Sequence, residues 1–198
     1  MKKILFALIA SAATLAGTSA YAADFGDDAG SGYVGAGVLG SRYKFDVPNA
    51  VSSSGNSGTK AGGKIYGGYN IDKTWAVEGG YTNFGKQDYD YTVNGAAGHV
   101  QSDAHSFYVA GKGTWPVNEQ VALFGKLGVA RNHNAVTTTG IATASGDANK
   151  SALYASVGAE YAISKQVKVS LEYENYGKNN VDLGRKNGAI TAGVRYNF

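Results

Sequence analysis

His99, His105 and His133 and the glycine-rich Gly35-Ala36-Gly37-Val38-Leu39-Gly40 are the stretches of this 198-residue chain best equipped for chemistry. His105 stands beside Ser106, with Asp103 close by, so the residue types of an acyl-transfer triad are present. Such a triad needs nucleophile and base within hydrogen-bond reach. Adjacent residues on a strand point to opposite faces, so on a strand His105 and Ser106 cannot meet. The glycine motif would cradle a dinucleotide only if a helix followed it and an acid stood about 20 residues on. Here Ser-Arg-Tyr-Lys-Phe-Asp follows, and Lys60 occupies the place of the acid. There is no cysteine, and the histidines do not have metal-ligand spacing. The sequence therefore predicts no enzyme, no cofactor and no metal site.

The remaining chemistry is charge. Lys64, Glu78, Lys112, Lys126, Glu160, Lys168, Glu172, Glu174 and Arg195 each alternate with apolar neighbours. Between Val167 and Glu174, one parity holds Val167, Val169, Leu171 and Tyr173, and the other Lys168, Ser170, Glu172 and Glu174. From Ser151 to Ile163, Leu153, Ala155, Val157, Ala159, Tyr161 and Ile163 share one parity. The chain ends the same way: Ile190, Ala192, Val194, Tyr196 and Phe198 alternate with Ala189, Thr191, Gly193, Arg195 and Asn197. Period-two patterning separates the two sets onto opposite faces of a sheet. Charges of both signs on one enclosed face must pair, because an unpaired buried charge is strongly destabilising.

The elements that position these charges follow from the connections. Short ones fall at Asp72-Lys73, Pro116 to Gln120 and Ser164 to Gln166. Long ones, rich in Gly, Ser, Thr and Asn, fall at roughly Lys44 to Lys60, Gly85 to Gln101, Asn132 to Lys150 and Gly177 to Asn187. Long and short alternate, which predicts an all-β, eight-stranded antiparallel up-and-down meander with its long loops at one end. A soluble sandwich would bury the apolar face, whereas a transmembrane barrel turns it to lipid and encloses the charges. Tyr69, Trp75, Trp115, Tyr161, Tyr196 and Phe198 cluster on the apolar parity near the short turns, as an interfacial girdle does. Closure also leaves no unpaired sheet edge in the bilayer. These points favour the barrel.

Residues 1–22 read as a signal peptide: Lys2 and Lys3, an apolar run from Ile4 to Ala16, and Ala20-Tyr21-Ala22 as a cleavage site. The run is shorter than the roughly 20 residues a membrane span needs. Cleavage leaves residues 23–198, with Ala23 to Ser31 expected as a loose lead-in. Removing Lys2 and Lys3 from 18 basic residues leaves 16 against 15 acidic ones, a net charge of +1. Nothing in that balance points to nucleic acid.

Taken in order, GYVGAG, KIYGGYNID, WAVEGGYTNFG, the Trp115-Pro116 turn, FGKLG, GAEYAI, SLEYENY and GVRYNF resemble the transmembrane domain of the OmpA family. The likeness covers nearly all of residues 32–198. It implies a small outer-membrane barrel of a Gram-negative bacterium, mainly structural, with surface loops that contact a host or surface ligand. The alternatives are an adhesin or a small low-conductance pore. Many family members add a peptidoglycan-binding domain, which is not expected here. The resemblance implies a lumen charge cluster, Glu78, Lys112, Lys126, Glu160, Glu172 and Arg195, of which Glu78, Lys112 and Glu160 match the family's gate by position. Ser170 stands where the family places an arginine. Val194, Tyr196 and Phe198 match the signal read by the outer-membrane insertion machinery. Arg42, Lys44 and Arg131 lie near the long-loop ends, where lipopolysaccharide phosphates would sit. The expected partners are thus outer-membrane lipid, lipopolysaccharide and the insertion machinery.

Overall fold

The computed structural model describes residues 28–44, 51–52, 57–93, 96–139, 144–177 and 185–198. Nine strands stand among them: β1 (Gly32–Lys44), β2 (Val51–Ser52), β3 (Ser57–Asn70), β4 (Trp75–Val93), β5 (Ala96–Pro116), β6 (Val121–Thr139), β7 (Ala144–Ala162), β8 (Val167–Asn175) and β9 (Arg185–Asn197). All pairings are antiparallel. β1 pairs with both β3 and β9, and β4 with β5, so eight strands close into a wall. The two-residue β2 pairs only with the far end of β4, opposite Tyr91 and Thr92.

The short connections fold locally. Asp72 Oδ1 accepts hydrogen bonds from the amides of Thr74 and Trp75 at 2.7 Å. Asn118 Oδ1 accepts from Gln120 and Val121 in the same way. Side-chain acceptors that replace a ladder bond are why Asp and Asn suit such turns.

Alternation sorts the residues as the period-two pattern predicts. Leu127, Val129, Leu153, Val157 and Leu171 are each at least 60 % accessible, as large aliphatics rarely are in water-soluble domains. The girdle residues Tyr69, Trp75, Trp115, Tyr161, Tyr196 and Phe198 are outward as well. Lys64, Glu78, Lys112 and Lys168 are instead almost wholly buried. Apolar outside and charged inside is the arrangement of a barrel whose solvent is lipid.

Two expectations need correction. The connections at 85–101 and 132–150 are largely strand, not loop. β4, β5, β6 and β7 run on past the wall, paired with one another up to Val93↔Ala96, His99↔Thr139 and Thr138↔Ala144. β3 leaves β4 at Gly63↔Asn83, and β8 leaves β7 at Ala155↔Asn175. A sheet of β4 to β7, edged by the short β2, therefore stands above the long-loop rim. Thr and Val supply enough strand propensity to continue the ladder where composition suggested loop. On β4–β5 the extension is tied by His99 Nδ1 to Asp90 Oδ1 at 2.6 Å, and by Gln101 Nε2 donating to Asp88 Oδ1 at 3.1 Å.

Residues 28–31 of the expected loose lead-in are anchored instead. Gly30 takes φ 74°, and its amide donates to Asn70 O at 2.8 Å. Asn70 N returns a bond to Ser31 O at 2.9 Å. Asn70 Nδ2 donates to Ser31 Oγ at 3.0 Å. The expected signal peptide, residues 1–22, and positions 23–27 lie outside the described residues.

A bulge re-phases β4. Between Asn83 and Lys86 the ladder to β5 shifts by one residue. Gly85 adopts φ +76°, and its amide donates to Asn83 Oδ1 at 2.8 Å. A β-carbon at Gly85 would lie 2.6 Å from Ala61 O, so the site requires glycine.

Candidate functional site

The interior is the candidate site, and strand parity delivers its side chains there. Buried inside are Lys64 (β3), Glu78 (β4), Lys112 (β5), Lys126 (β6), Glu160 (β7), Lys168, Glu172 and Glu174 (β8) and Arg195 (β9). Asp28, just ahead of β1, joins them at the short-turn mouth by ion pairs to Lys168 and to Arg195, the latter at 3.4 Å. These ten residues are five cations and five acids, so their formal charges cancel.

They form two chains of alternating sign. In the first, Glu174 pairs with Lys64, Lys64 with Glu172 at 3.3 Å, Glu172 with Lys126 at 2.9 Å and Lys126 with Glu78 at 2.7 Å. In the second, Lys112 pairs with Glu160 at 2.5 Å, Glu160 with Arg195 at 3.4 Å, and Arg195 and Lys168 with Asp28. The first has one more acid than base and the second one more base than acid. Tyr33 stands between them: its hydroxyl donates to Glu78 Oε2 at 2.9 Å, and the Arg195 guanidinium lies 4.7 Å from its ring. Each buried charge thus meets at least one opposite charge, without which desolvation would not be offset.

Tyrosines complete the site, and sequence reading passed over them. Tyr108 donates to Glu78 at 2.6 Å, and Tyr154 and Tyr176 donate to Glu174 at 2.7 and 3.0 Å. Thr191 also donates to Glu174. Tyr108 and Tyr154 stack with centroids 4.5 Å apart, and Phe84 meets Tyr176 edge-on at 5.0 Å. These rings fill the lumen next to the charges. The parity that placed Lys112 and Glu160 inside also places Tyr108 and Tyr154 there, so the signal was present. Asp28 had no such signal, because it lies outside any periodic stretch.

All six residues of the predicted charge cluster converge in this interior. Ser170, on the inward parity of β8 opposite Gly193, leaves its level to neighbouring groups, and Lys126 bridges Glu78 and Glu172. Val194, Tyr196 and Phe198 share the outer face of the last strand, with Tyr196 and Phe198 rings 5.7 Å apart. Arg42 and Arg131 both point outward near the long-loop rim, on separate parts of the wall. The side chain of Lys44 lies outside the described residues. His105 is turned outward against His133, with centroids 4.6 Å apart, while Ser106 is buried inside. That pair cannot act as base and nucleophile. Among the described residues no group of three His, Cys, Asp or Glu is placed to hold a metal.

The sequence matches the family model of the outer membrane protein beta-barrel domain over residues 8–198. No curated protein matches it. Among solved structures, the attachment invasion locus protein Ail of Yersinia pestis, crystallised with the heparin analogue sucrose octasulfate, is similar at 20% identity and TM-score 0.57. The match covers 86% of this chain and 99% of Ail. OprG of Pseudomonas aeruginosa is similar at 13% identity and TM-score 0.55, over 88% of this chain and 99% of OprG. Neisserial surface protein A is similar at 22% identity and TM-score 0.51, over 84% and 97%. At these identities the likeness is one of fold.

Proposed function

The chain belongs to the outer membrane β-barrel domain family and resides in the outer membrane, and from that premise we propose that it is a closed, structural barrel whose lumen does not conduct ions and catalyses nothing. The observation that carries the reading is the filled lumen. Its ten charges alternate in sign, and buried Tyr108, Tyr154 and Tyr176 pack among them. An ion entering would have to displace paired charges in a low-dielectric interior, which costs several kcal/mol. Planar-bilayer recording tests it. The purified barrel should give no steps above lipid background, and resolved steps would refute the reading in favour of a small pore.

A second role fits the sheet above the rim. At 19, 21, 19 and 19 residues, β4 to β7 are each well beyond the length of the roughly 9–11 residues that a tilted strand needs to span the membrane. The excess stands clear of the bilayer as an ordered platform for a host or surface ligand. Trimming β4–β5 above the Gly85 bulge should abolish adhesion or serum survival while leaving the barrel folded. Unchanged adhesion would leave the scaffold role alone.

Two further contacts belong to this reading. Arg42 and Arg131 are exposed where lipopolysaccharide phosphates lie, and a guanidinium can take a phosphate through two hydrogen bonds. Val194, Tyr196 and Phe198 present the apolar edge that the insertion machinery would engage before lipid covers it.

A further inference from the structure

We propose that the outer wall carries a seat for one acyl chain of a phosphorylated outer-leaflet glycolipid, floored by Gly67 and Gly79 and headed by Arg131. The inference rests on the Arg131 contact proposed above and adds to it a site with walls.

The register defines the seat. Gly67 and Gly79 are direct partners between β3 and β4. One cross-strand row runs Val34, Gly67, Gly79, Val109, Val129. The next row runs Ile65, Tyr81, Phe107, Arg131, Ser151. Both rows point outward, and where the first lacks side chains a groove of about 720 Å³ opens along the wall. Val34 lies near the periplasmic start of β1, whereas Arg131 and Ser151 lie toward the extracellular ends of the membrane-spanning parts of β6 and β7. The groove therefore climbs obliquely, from the apolar belt to a cationic, hydroxyl-bearing end.

The fold does not require these glycines. Neither has a positive φ, and a β-carbon at Gly67 or Gly79 would meet its nearest neighbours at ordinary contact distances of 3.4 and 3.5 Å. By contrast, one at Gly80 would meet the Tyr108 ring at 2.6 Å, so that glycine is set by lumen packing. Glycine within a strand costs about 0.5–1 kcal/mol relative to alanine. Two placed opposite each other without a packing reason mark a close approach by something else.

Charge selects the occupant. The exposed Arg131 guanidinium at the upper end suits a phosphate. Asp103, an acid further along the outward face of β5, lies opposite Lys86 in the ladder. An apolar chain under an anionic head matches a row of Val and Ile leading to an arginine.

The test uses the full barrel refolded in a zwitterionic detergent, titrated with lipid A and read by intact-complex mass spectrometry. Wild type should retain one lipid A. Gly67→Val/Gly79→Val, which fills the groove, should weaken retention at least about tenfold. Gly111→Val, at an outward glycine one row below the groove and outside its lining, should not. Heat-modified gel mobility confirms that each variant is folded. Arg131→Gln should weaken lipid A to a similar degree and leave retention of phosphatidylcholine unchanged. Wild-type retention by the groove-filled variant overturns the seat, whatever Arg131→Gln does. Loss in that variant with none in Arg131→Gln or Arg42→Gln overturns the phosphate contact instead. A dimer that disappears in the groove-filled variant would assign the groove to a second copy and overturn the lipid.

Discussion

Glu78→Gln isolates the charge that joins most of the lumen together. The carboxylate accepts from Tyr33 at 2.9 Å, Tyr108 at 2.6 Å and Lys126 at 2.7 Å. Glutamine keeps the shape and one acceptor oxygen, but its amide nitrogen then faces a donor, and Lys126 keeps only Glu172 as an ion-pair partner. Breaking one side of a buried pair costs about 3–5 kcal/mol, and the retained acceptor moves the expected loss to about 3 kcal/mol. Urea unfolding from lipid vesicles, followed by Trp75 and Trp115 fluorescence, would read it as a lower midpoint at unchanged slope. Lys126→Met in the same background should recover about 1–3 kcal/mol relative to the sum of the single losses, because the two residues share one contact. Glu172 would still hold Lys64 in the double variant. A loss below about 1 kcal/mol for Glu78→Gln, or strict additivity in the double variant, would refute the view that paired charges hold the interior together.

Asp28→Asn removes the acid shared by Lys168 and Arg195. At a partly accessible mouth this should cost about 1–2 kcal/mol, seen as a lower temperature for the gel-mobility shift; an unchanged temperature would make the Asp28 ion pairs passive contacts. Gly85→Ala should destabilise by about 1–2 kcal/mol through the left-handed backbone, with the Ala61 carbonyl adding to it. Gly63→Ala, where nothing lies within 4 Å of the added carbon, should be neutral or slightly stabilising in the same melts. Phe198→Ser should cost only about 1–2 kcal/mol of equilibrium stability, because the outward ring is lost from the interfacial girdle while the lumen is untouched. Pulse-chase in cells should show it reaching the heat-modifiable form more slowly, and assembly at the wild-type rate would sink the insertion-signal proposal.

Alternation made the wall and most of the lumen legible in the sequence. A strand has only two faces, so Leu153 and Glu160 fix the sidedness of β7, and Tyr154 follows without further information. The upper sheet was not legible. Thr137 to Thr139 favour strand, but Ser145 to Asp147 on the adjoining strand do not, so the state of this stretch depends on its partner strand. Asp28 was illegible for a different reason: an acid in a polar lead-in becomes specific only when the short-turn mouth places Lys168 and Arg195 beneath it. The groove likewise exists only in register, because no spacing along the chain announces that Gly67 will face Gly79.

Asp28 also bears on how fast the barrel can come apart. It precedes the first wall strand, yet its carboxylate reaches Lys168 on β8 and Arg195 on the last strand, 140 and 167 residues away. The contact crosses the β1–β9 seam, the one place where the wall joins chain ends and not sequence neighbours. It can form only after those strands have met, so it contributes little to the encounter that closes the barrel. Interactions absent from the transition state act on the escape rate. The clasp should therefore slow unzipping from the seam while leaving the rate of closure unchanged, making it a kinetic lock on a wall whose opening would expose unpaired backbone to lipid.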